Sequence, residues 1–434
     1  MFTITEILKA TNGRLLSGGI KLCFSGISTN SRTLERDELF IAIKGVKFDG
    51  HDFLEKARQN KAAALLLNED WVQVNGAFLE KLNMPVIAVE NTVIALGNIA
   101  AFHRGKFNIP VIGVTGSNGK TTTKEMIAKI LGLRFKVLKS EGSFNNNIGV
   151  PLTLLRLDSS YEVAVLEMGM NHKGEIRSLC SIARPDIVLI TNVANAHMEF
   201  FDSLVDVAKA KCEILEKLVS GSKAIINADC SILYSLAKDY AVNVISFGLK
   251  KNSLYRGSNV LCDGQGVEFT LNEKFTFRLN LLGEHNVHNA LAAIAVGSLF
   301  DIELVEMRDA IREVNIPGLR MHQLETNGIK IIADCYNANP LSTKAAIKTL
   351  AQINDRKRKV FVLADMLELG GLTKKCHEDI GEYAASNSID KMITVGPSAA
   401  FAAKTAVICG MQKSDVYNCQ GNEEALNILQ DLLT

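Results

Sequence analysis

The sequence predicts an α/β protein of three domains in series. The central one is a phosphate-loop type with a mostly parallel sheet and inserted hairpins, and the C-terminal one is Rossmann-like. Three observations predict this. Continuous apolar runs such as Val111-Ile112-Gly113-Val114-Thr115 alternate with helix-length stretches, as parallel strands covered on both faces do. A glycine-rich turn follows that run and leads into a helical segment. The length, 434 residues, suits two to four domains at about 150 residues each.

Taken in order, residues 1–108 mix short apolar runs at 39–43, 62–67 and 86–89 with turns and helical stretches, a small α/β module. Pro110 marks a boundary. The central domain, 109–316, then has strands at 111–115, 162–167, 186–193 and 224–227 and a helix over 120–131. The stretch 242–281, with Phe269-Thr270-Leu271 and Phe275-Thr276-Phe277, reads as antiparallel hairpins inserted in that domain. After Pro317 the rhythm restarts, with strands at 329–333, 359–363 and 391–395 and a helix over 342–353, giving a C-terminal domain 317–434.

Composition narrows the function. Apolar residues make up 47% and charged residues 22%, which excludes wholesale disorder. Lys plus Arg number 48 against 47 Asp plus Glu, a net charge of +1 that gives no general attraction to nucleic acid or anionic membrane. The basic run Arg356-Lys357-Arg358-Lys359 reads as a solvated turn before a strand. The start, Met1-Phe2-Thr3-Ile4-Thr5-Glu6, lacks the order of a signal peptide, and the apolar run 62–67 is far short of the roughly 20 residues that span a bilayer. Nine cysteines without a C-x-x-C pair suggest reduced thiols. The expectation is a cytoplasmic, monomeric protein without integral membrane association that handles something small.

The chemistry centres on Thr115-Gly116-Ser117-Asn118-Gly119-Lys120-Thr121-Thr122, between a strand and a helix. Glycines let backbone N–H groups close around phosphate oxygens, and the helix N-terminus adds its positive end. Lys120 can reach the β and γ phosphates, and the Thr121 hydroxyl can bind Mg²⁺. The strict phosphate-loop pattern would have glycine where Val114 stands. Glu167 and His197 each follow a strand, at the sheet edge where ligands of open α/β sheets bind. On position alone, Glu167 is a cation ligand or a solvated strand-end acid, and His197 a ligand or a structural residue. Lys211, in a helical stretch, is not singled out by spacing.

With these residues the chain resembles the Mur ligase family of ATP-dependent peptidoglycan precursor ligases, over essentially its whole length. The 115–122 loop is similar to the family's phosphate loop, including the departure at Val114. Gly142-Ser143-Phe144-Asn145-Asn146 resembles the loop that follows it, placing Asn145 and Asn146 near substrate. Glu167-Met168-Gly169-Met170 and Asn195-Ala196-His197 match the metal-binding glutamate and histidine, and Lys211 falls on the lysine that is carbamoylated. Asn286 and Asn289 in Gly283-Glu284-His285-Asn286-Val287-His288-Asn289 resemble the segment near the adenine. Arg320, in Pro317-Gly318-Leu319-Arg320, looks like the arginine that meets the ATP phosphates, and Asp334 like the residue that binds its ribose.

Asp334-Cys335-Tyr336-Asn337-Ala338-Asn339-Pro340 and Asp365-Met366-Leu367-Glu368-Leu369-Gly370 are similar to the third-domain motifs of the dipeptide-adding branch, placing Tyr336, Asn337, Asn339 and Asp365 at the substrate. An Asp-Asn-Pro-Arg segment, the mark of the diamino-acid-adding branch, is absent from the sequence. Ser28, Asn30, Ser31 and Arg32, with Asp49 and His51, resemble the UDP-binding module, although Asn30 stands where relatives often carry Asp. Leu319 likewise intervenes where Arg often follows Gly directly.

The resemblance implies ligation of D-alanyl-D-alanine to a UDP-N-acetylmuramoyl-tripeptide, with ATP, two Mg²⁺ ions and a carbamate on Lys211. It also implies that the three domains hold the UDP-sugar, ATP and the dipeptide in turn, with hinges expected at 108–110 and 316–319. Another amide ligase of the superfamily, or a nucleotide-binding regulator that has lost ligation, would share the same loop.

Overall fold

The structure is a computed structural model describing residues 1–219, 221–353 and 357–433. The chain divides into two compact units. One comprises Met1–Val111, Lys136–Met168 and Arg177–Pro185; the other comprises Ile112–Phe135, Gly169–Ile176 and Asp186–Thr434.

The first unit contains a five-stranded sheet in the order Arg14–Ser17, Val86–Val89, Ala64–Asn68, Leu39–Ile41, Ile27–Ser28, parallel except for its first ladder. Its strands read as continuous apolar runs because both faces are covered; Phe40, Leu65, Leu67 and Val86 lie in one core with Leu54 and Ala57. The helix Thr92–Arg104 starts where the Asn91 side chain accepts the Val93 and Ile94 N–H groups. At its end the Arg104 guanidinium donates to the carbonyls of Phe107 at 2.6 Å, Ile109 at 3.1 Å and Ala183 at 3.2 Å, so the segment before Pro110 is gripped along its backbone. In the same unit Val137–Lys139 pairs in parallel with Val163–Glu167.

The second unit carries a sheet in the order Phe275–Leu279, Val267–Leu271, Tyr255–Cys262, Asn243–Gly248, Lys223–Asn227, Ile187–Ile190, Val111–Thr115. The two ladders at the Phe275 end are antiparallel and the rest parallel. The inserted hairpins are therefore present but begin later than the sequence suggests. Asn243–Gly248 is a parallel strand beside Lys223–Asn227, with residues 245–248 buried as in the neighbouring strands. Phe269 and Phe277 face one another across the hairpin with ring centroids 5.4 Å apart.

The C-terminal part of this unit has a three-stranded parallel sheet, Val360–Ala364, Lys391–Val395, Val416–Cys419, covered by helices that include Pro340–Gln352 and Thr373–Ala385. Ile329–Ala333 was expected in that sheet; instead it pairs antiparallel with His322–Thr326. The cause is local. Asn327 and Gly328 take φ of 48° and 76°, the left-handed pair that closes a two-residue hairpin, and Asn-Gly is its strongest sequence signal.

Within the basic run, Arg356 lies outside the described residues, whereas Lys357 and Lys359 donate to the carbonyls of Gly328 at 2.7 Å and Ala351 at 2.5 Å. All nine cysteines are free thiols. Among the described residues no helix is long and apolar enough to cross a membrane.

Candidate active site

The phosphate loop is built as its residues require. The strand Val111–Thr115 is fully buried, so Val114, at the position where a stricter pattern has glycine, serves as core. The loop's conformational demand falls on Gly116 and Gly119, with φ of 146° and 82°. A Cβ on Gly116 would lie 1.8 Å from Thr191 Oγ1, and one on Gly119 would lie 2.3 Å from Asn289 Oδ1. No side chain larger than hydrogen fits either place.

The neighbouring strand end holds the loop from outside. Thr191 Oγ1 donates to the Asn118 carbonyl at 2.5 Å, Ser117 N–H donates to the Asn192 carbonyl at 2.9 Å, and Asn118 N–H donates to Asn192 Oδ1 at 2.9 Å. Lys120 begins the helix Lys120–Leu131 and folds back, donating to the carbonyls of Gly116 at 2.8 Å and Ser117 at 3.2 Å. Thr121 and Thr122 are buried in the first turn, and Thr115 Oγ1 is a buried hydroxyl without a partner at the loop's base. A buried orphan hydroxyl under backbone amides that a Cβ would fill fits a phosphate-bearing ligand.

Asn286 and Asn289 act from behind this loop. Asn289 accepts from Thr123 at 3.2 Å and donates to Asn286 Oδ1 at 2.9 Å, while Asn286 donates to the Leu282 carbonyl at 2.8 Å. Both are buried, and they brace the loop from behind.

Asn339 is also committed. Its amide pairs reciprocally with Asn118, at 3.1 and 2.7 Å, and its Oδ1 caps the helix Pro340–Gln352 through Ser342 N–H at 3.0 Å. The structure thus ties the expected dipeptide residue to the phosphate loop. Asp365 accepts the Ala399 N–H at 2.6 Å at the start of the helix Ala399–Ile408, a bracing role as well. Tyr336 and Asn337 remain exposed. The Arg320 guanidinium lies 4.0 Å from the Tyr336 ring centroid, while Asp334 accepts the Met321 N–H at 3.3 Å and is raised above the usual carboxylate range by burial.

Lys120, His197 and Lys211 are brought within reach of one another's charge. Burial lowers the His197 pKa, with the positive charges of Lys211 and Lys120 acting the same way against the opposing Glu368 contact. Lys211, on the helix Leu204–Cys212, is fully buried; burial first, and then the Lys120 charge, hold its ammonium well below the usual lysine range. Both effects favour the neutral amine over the ammonium. Among the described residues no cluster of three or more His, Cys, Asp or Glu is placed to hold a metal ion. The donors present suit a cation held jointly by a few protein atoms and substrate phosphate oxygens, which is the habit of Mg²⁺.

In the first unit, Glu167 ends Val163–Glu167 buried, with its Oε1 accepting from Asn145 Nδ2 at 2.8 Å. Asn146 Oδ1 accepts the Ile148 and Gly149 N–H groups at 3.1 and 2.9 Å, where the helix Gly149–Leu154 begins. Ser28, Asn30 and Arg32 share one turn, in which Ser28 donates to the Asn30 carbonyl at 3.2 Å and Asn30 Oδ1 accepts the Arg32 N–H at 3.0 Å. Ser31 is buried, its carbonyl accepting from Asn60 at 2.7 Å. His51 is buried and stacked on Trp71, with Nδ1 2.6 Å from Asp49 Oδ1 and Nε2 accepting the Asn68 N–H at 3.3 Å, so it holds the loop that carries Asp49. Thr191 and Asn192 were not singled out in the sequence, and Glu368 only as part of the 365–370 motif, with no link to His197. Their partners lie 73 to 171 residues away.

A glycine-built phosphate cradle at the head of a buried helix, with a histidine and a buried lysine within reach of the Lys120 charge, marks a nucleotide-binding protein. The chain belongs to the Mur ligase family. Family models match along it in sequence: the Mur ligase family catalytic domain over residues 24–104, the Mur ligase middle domain over 114–297, and the Mur ligase glutamate ligase domain over 319–434. It is 38% identical over 408 residues to the UDP-N-acetylmuramoyl-tripeptide–D-alanyl-D-alanine ligase of Bacillus subtilis, covering 93% of this chain and 87% of that protein. The enzyme of the same name from Escherichia coli is 36% identical over 408 residues, covering 91% and 86%. The structure is similar to a crystal structure of MurF from Acinetobacter baumannii, with TM-score 0.89 and 30% identity over 100% of this chain and 92% of that one. The MurF ligase of Thermotoga maritima in complex with ADP matches with TM-score 0.76 and 27% identity, over 91% and 93%.

Proposed function

We propose that this enzyme joins D-alanyl-D-alanine to a UDP-N-acetylmuramoyl-tripeptide at the expense of ATP, in the cytoplasm, as a monomer. The observation that carries the reading is Lys211, a fully buried amine whose ammonium form is disfavoured by burial and by the Lys120 charge. As a neutral amine it could take up CO₂, releasing a proton, and become an oxygen-bearing anion, the ligand type that Mg²⁺ prefers.

In the proposed reaction the tripeptide carboxylate attacks the γ-phosphorus of ATP, giving an acyl phosphate and ADP. The dipeptide amine then adds to the acyl carbon, loses its proton, and expels inorganic phosphate as the amide forms. Two anions meet in the first step, so this chain's task is to lower their repulsion. Backbone N–H groups of residues 119–121 would bind the phosphates, those of Ser117 and Asn118 being held by Asn192, and Lys120 would turn from its loop carbonyls to the transferred group. Thr121 would hold one Mg²⁺, and His197 with the Lys211 carbamate a second; the family's pattern also gives Glu167 a metal-binding role. The bound cations supply charge neutralisation at the phosphate oxygens. Arg320 would add a positive charge at the phosphates and Asp334 a ribose contact. Residues 1–108 would bind the UDP-sugar through the 28–32 turn and Asp49, residues 109–316 ATP, and residues 317–434 the dipeptide, with Tyr336 and Asn337 the exposed polar groups available to it.

The test is mass spectrometry of products from the UDP-tripeptide, ATP and Mg²⁺ with a panel of D-amino-acid dipeptides and single amino acids. Addition of D-alanyl-D-alanine with stoichiometric phosphate release is expected. Addition of a single diamino acid or of glutamate, with D-alanyl-D-alanine ignored, would overturn the assignment.

A further inference from the structure

Within the second unit two turns are clasped together. His197 Nδ1 lies 2.6 Å from Glu368 Oε2, the Glu199 N–H donates to the Glu368 carbonyl at 3.1 Å, and a Cβ on Gly370 would stand 3.0 Å from Glu199 Cα. His197 and Glu368 both hold left-handed backbone, with φ of 60° and 59°, which non-glycine residues keep only where their surroundings impose it. An ion pair this exposed, 19% for the histidine side chain and 40% for the glutamate, contributes little to stability. What it does supply is orientation. An imidazole facing a carboxylate through Nδ1 donates its proton there, which leaves the lone pair on Nε2.

We infer that Glu368 is a positioning residue of the cation site: it fixes His197 in the Nδ1–H tautomer with Nε2 as the ligand atom, so that the C-terminal part of the chain completes a site whose other residues lie before residue 212. The inference rests on the reading of His197 as a cation ligand. It gives Glu368 a function separate from dipeptide recognition, the role its place beside Asp365 in the 365–370 motif would suggest. It also makes cation binding sensitive to whether the 368–370 turn is seated on the 197–200 turn.

The experiment uses the full chain with ¹⁵N-labelled histidine. In the metal-free protein the His197 ring should show the Nδ1–H pattern, and Glu368→Ala should convert it to the Nε2–H form that free histidine prefers. Mn²⁺ affinity, titrated by electron paramagnetic resonance with ADP bound, should fall about 10- to 100-fold in Glu368→Ala and recover in part in Glu368→Asp. ADP affinity without metal should not change. Turnover of Glu368→Ala should show a raised Mg²⁺ requirement and recover at saturating Mg²⁺, which a general loss of packing would not allow. If Glu368→Ala keeps both tautomer and Mn²⁺ affinity while His197→Ala weakens Mn²⁺ binding, the inference fails alone. Should His197→Ala bind Mn²⁺ as the parent does, the reading of His197 as a ligand falls and takes the inference with it.

Discussion

Lys211 and His285 show how burial turns an ordinary side chain into a chemical instrument or a liability. Replacing Lys211 with Ala should remove most ligase activity, and short carboxylates added to that variant should restore part of it by supplying the missing oxygens. Lys209→Ala, exposed on the same helix, should be nearly silent. Steady-state rates with and without added acetate decide the matter; an active Lys211→Ala enzyme would refute the carbamate. His285 is half-buried, with its Nδ1 enclosed and unpartnered, and burial lowers its pKa from 6.5 to about 4. The folded state therefore resists a proton that the unfolded chain accepts. Its stabilising contribution is complete above pH 6.5 and is lost as pH falls toward 4, by up to about 3 kcal/mol. Urea midpoints measured across that window should drop more steeply for the parent than for His285→Gln. Neither effect is visible in sequence. Lys211 looked like any lysine on a helical stretch, and only the folded chain shows that it is buried.

At the level of elements, the loop between the strand Val111–Thr115 and the helix Lys120–Leu131 was legible because its grammar is local. Glycine supplies the conformation, lysine the charge and threonine the hydroxyl, all within nine positions of a buried strand. The struts that hold it were illegible, since Thr191, Asn192 and Asn289 bond to it across long stretches of chain. The clash of a Cβ at Gly116 with Thr191 Oγ1 makes a definite prediction. Gly116→Ala should abolish nucleotide binding by calorimetry and cost roughly 1–3 kcal/mol of stability, while affinity for the UDP-substrate stays within a few fold. Retained nucleotide affinity would mean that the loop can close in another way. The hairpin at Asn327-Gly328 teaches the complementary lesson. Its signal was present in the sequence, but the alternating α/β rhythm around it favoured a sheet strand.

Across the whole molecule, the domain sequence and the parallel central sheet followed from apolar rhythm, because strands buried on both faces have little freedom in composition. Stability is not spread evenly over that architecture. The strand His322–Thr326 is exposed along its length and pairs only with Ile329–Ala333, whereas Val188, Leu189 and Ile190 are wholly buried between two parallel neighbours. Native-state hydrogen exchange should show the hairpin amides opening locally at low free energy, and the 188–190 amides exchanging only through global unfolding. Equal protection in the two segments would contradict this ranking.

The steric closure around Gly116 also bears on drug resistance. An inhibitor that reads the loop through its backbone amides contacts groups that only a substitution to proline removes. The substitution most apt to block it, a larger residue at 116, would eject the nucleotide as well. Escape would then have to come from outside the cradle, through altered uptake or greater enzyme abundance, or through residues lining the ligand's far end. A compound anchored on the main chain here would leave the target few viable mutations of its own.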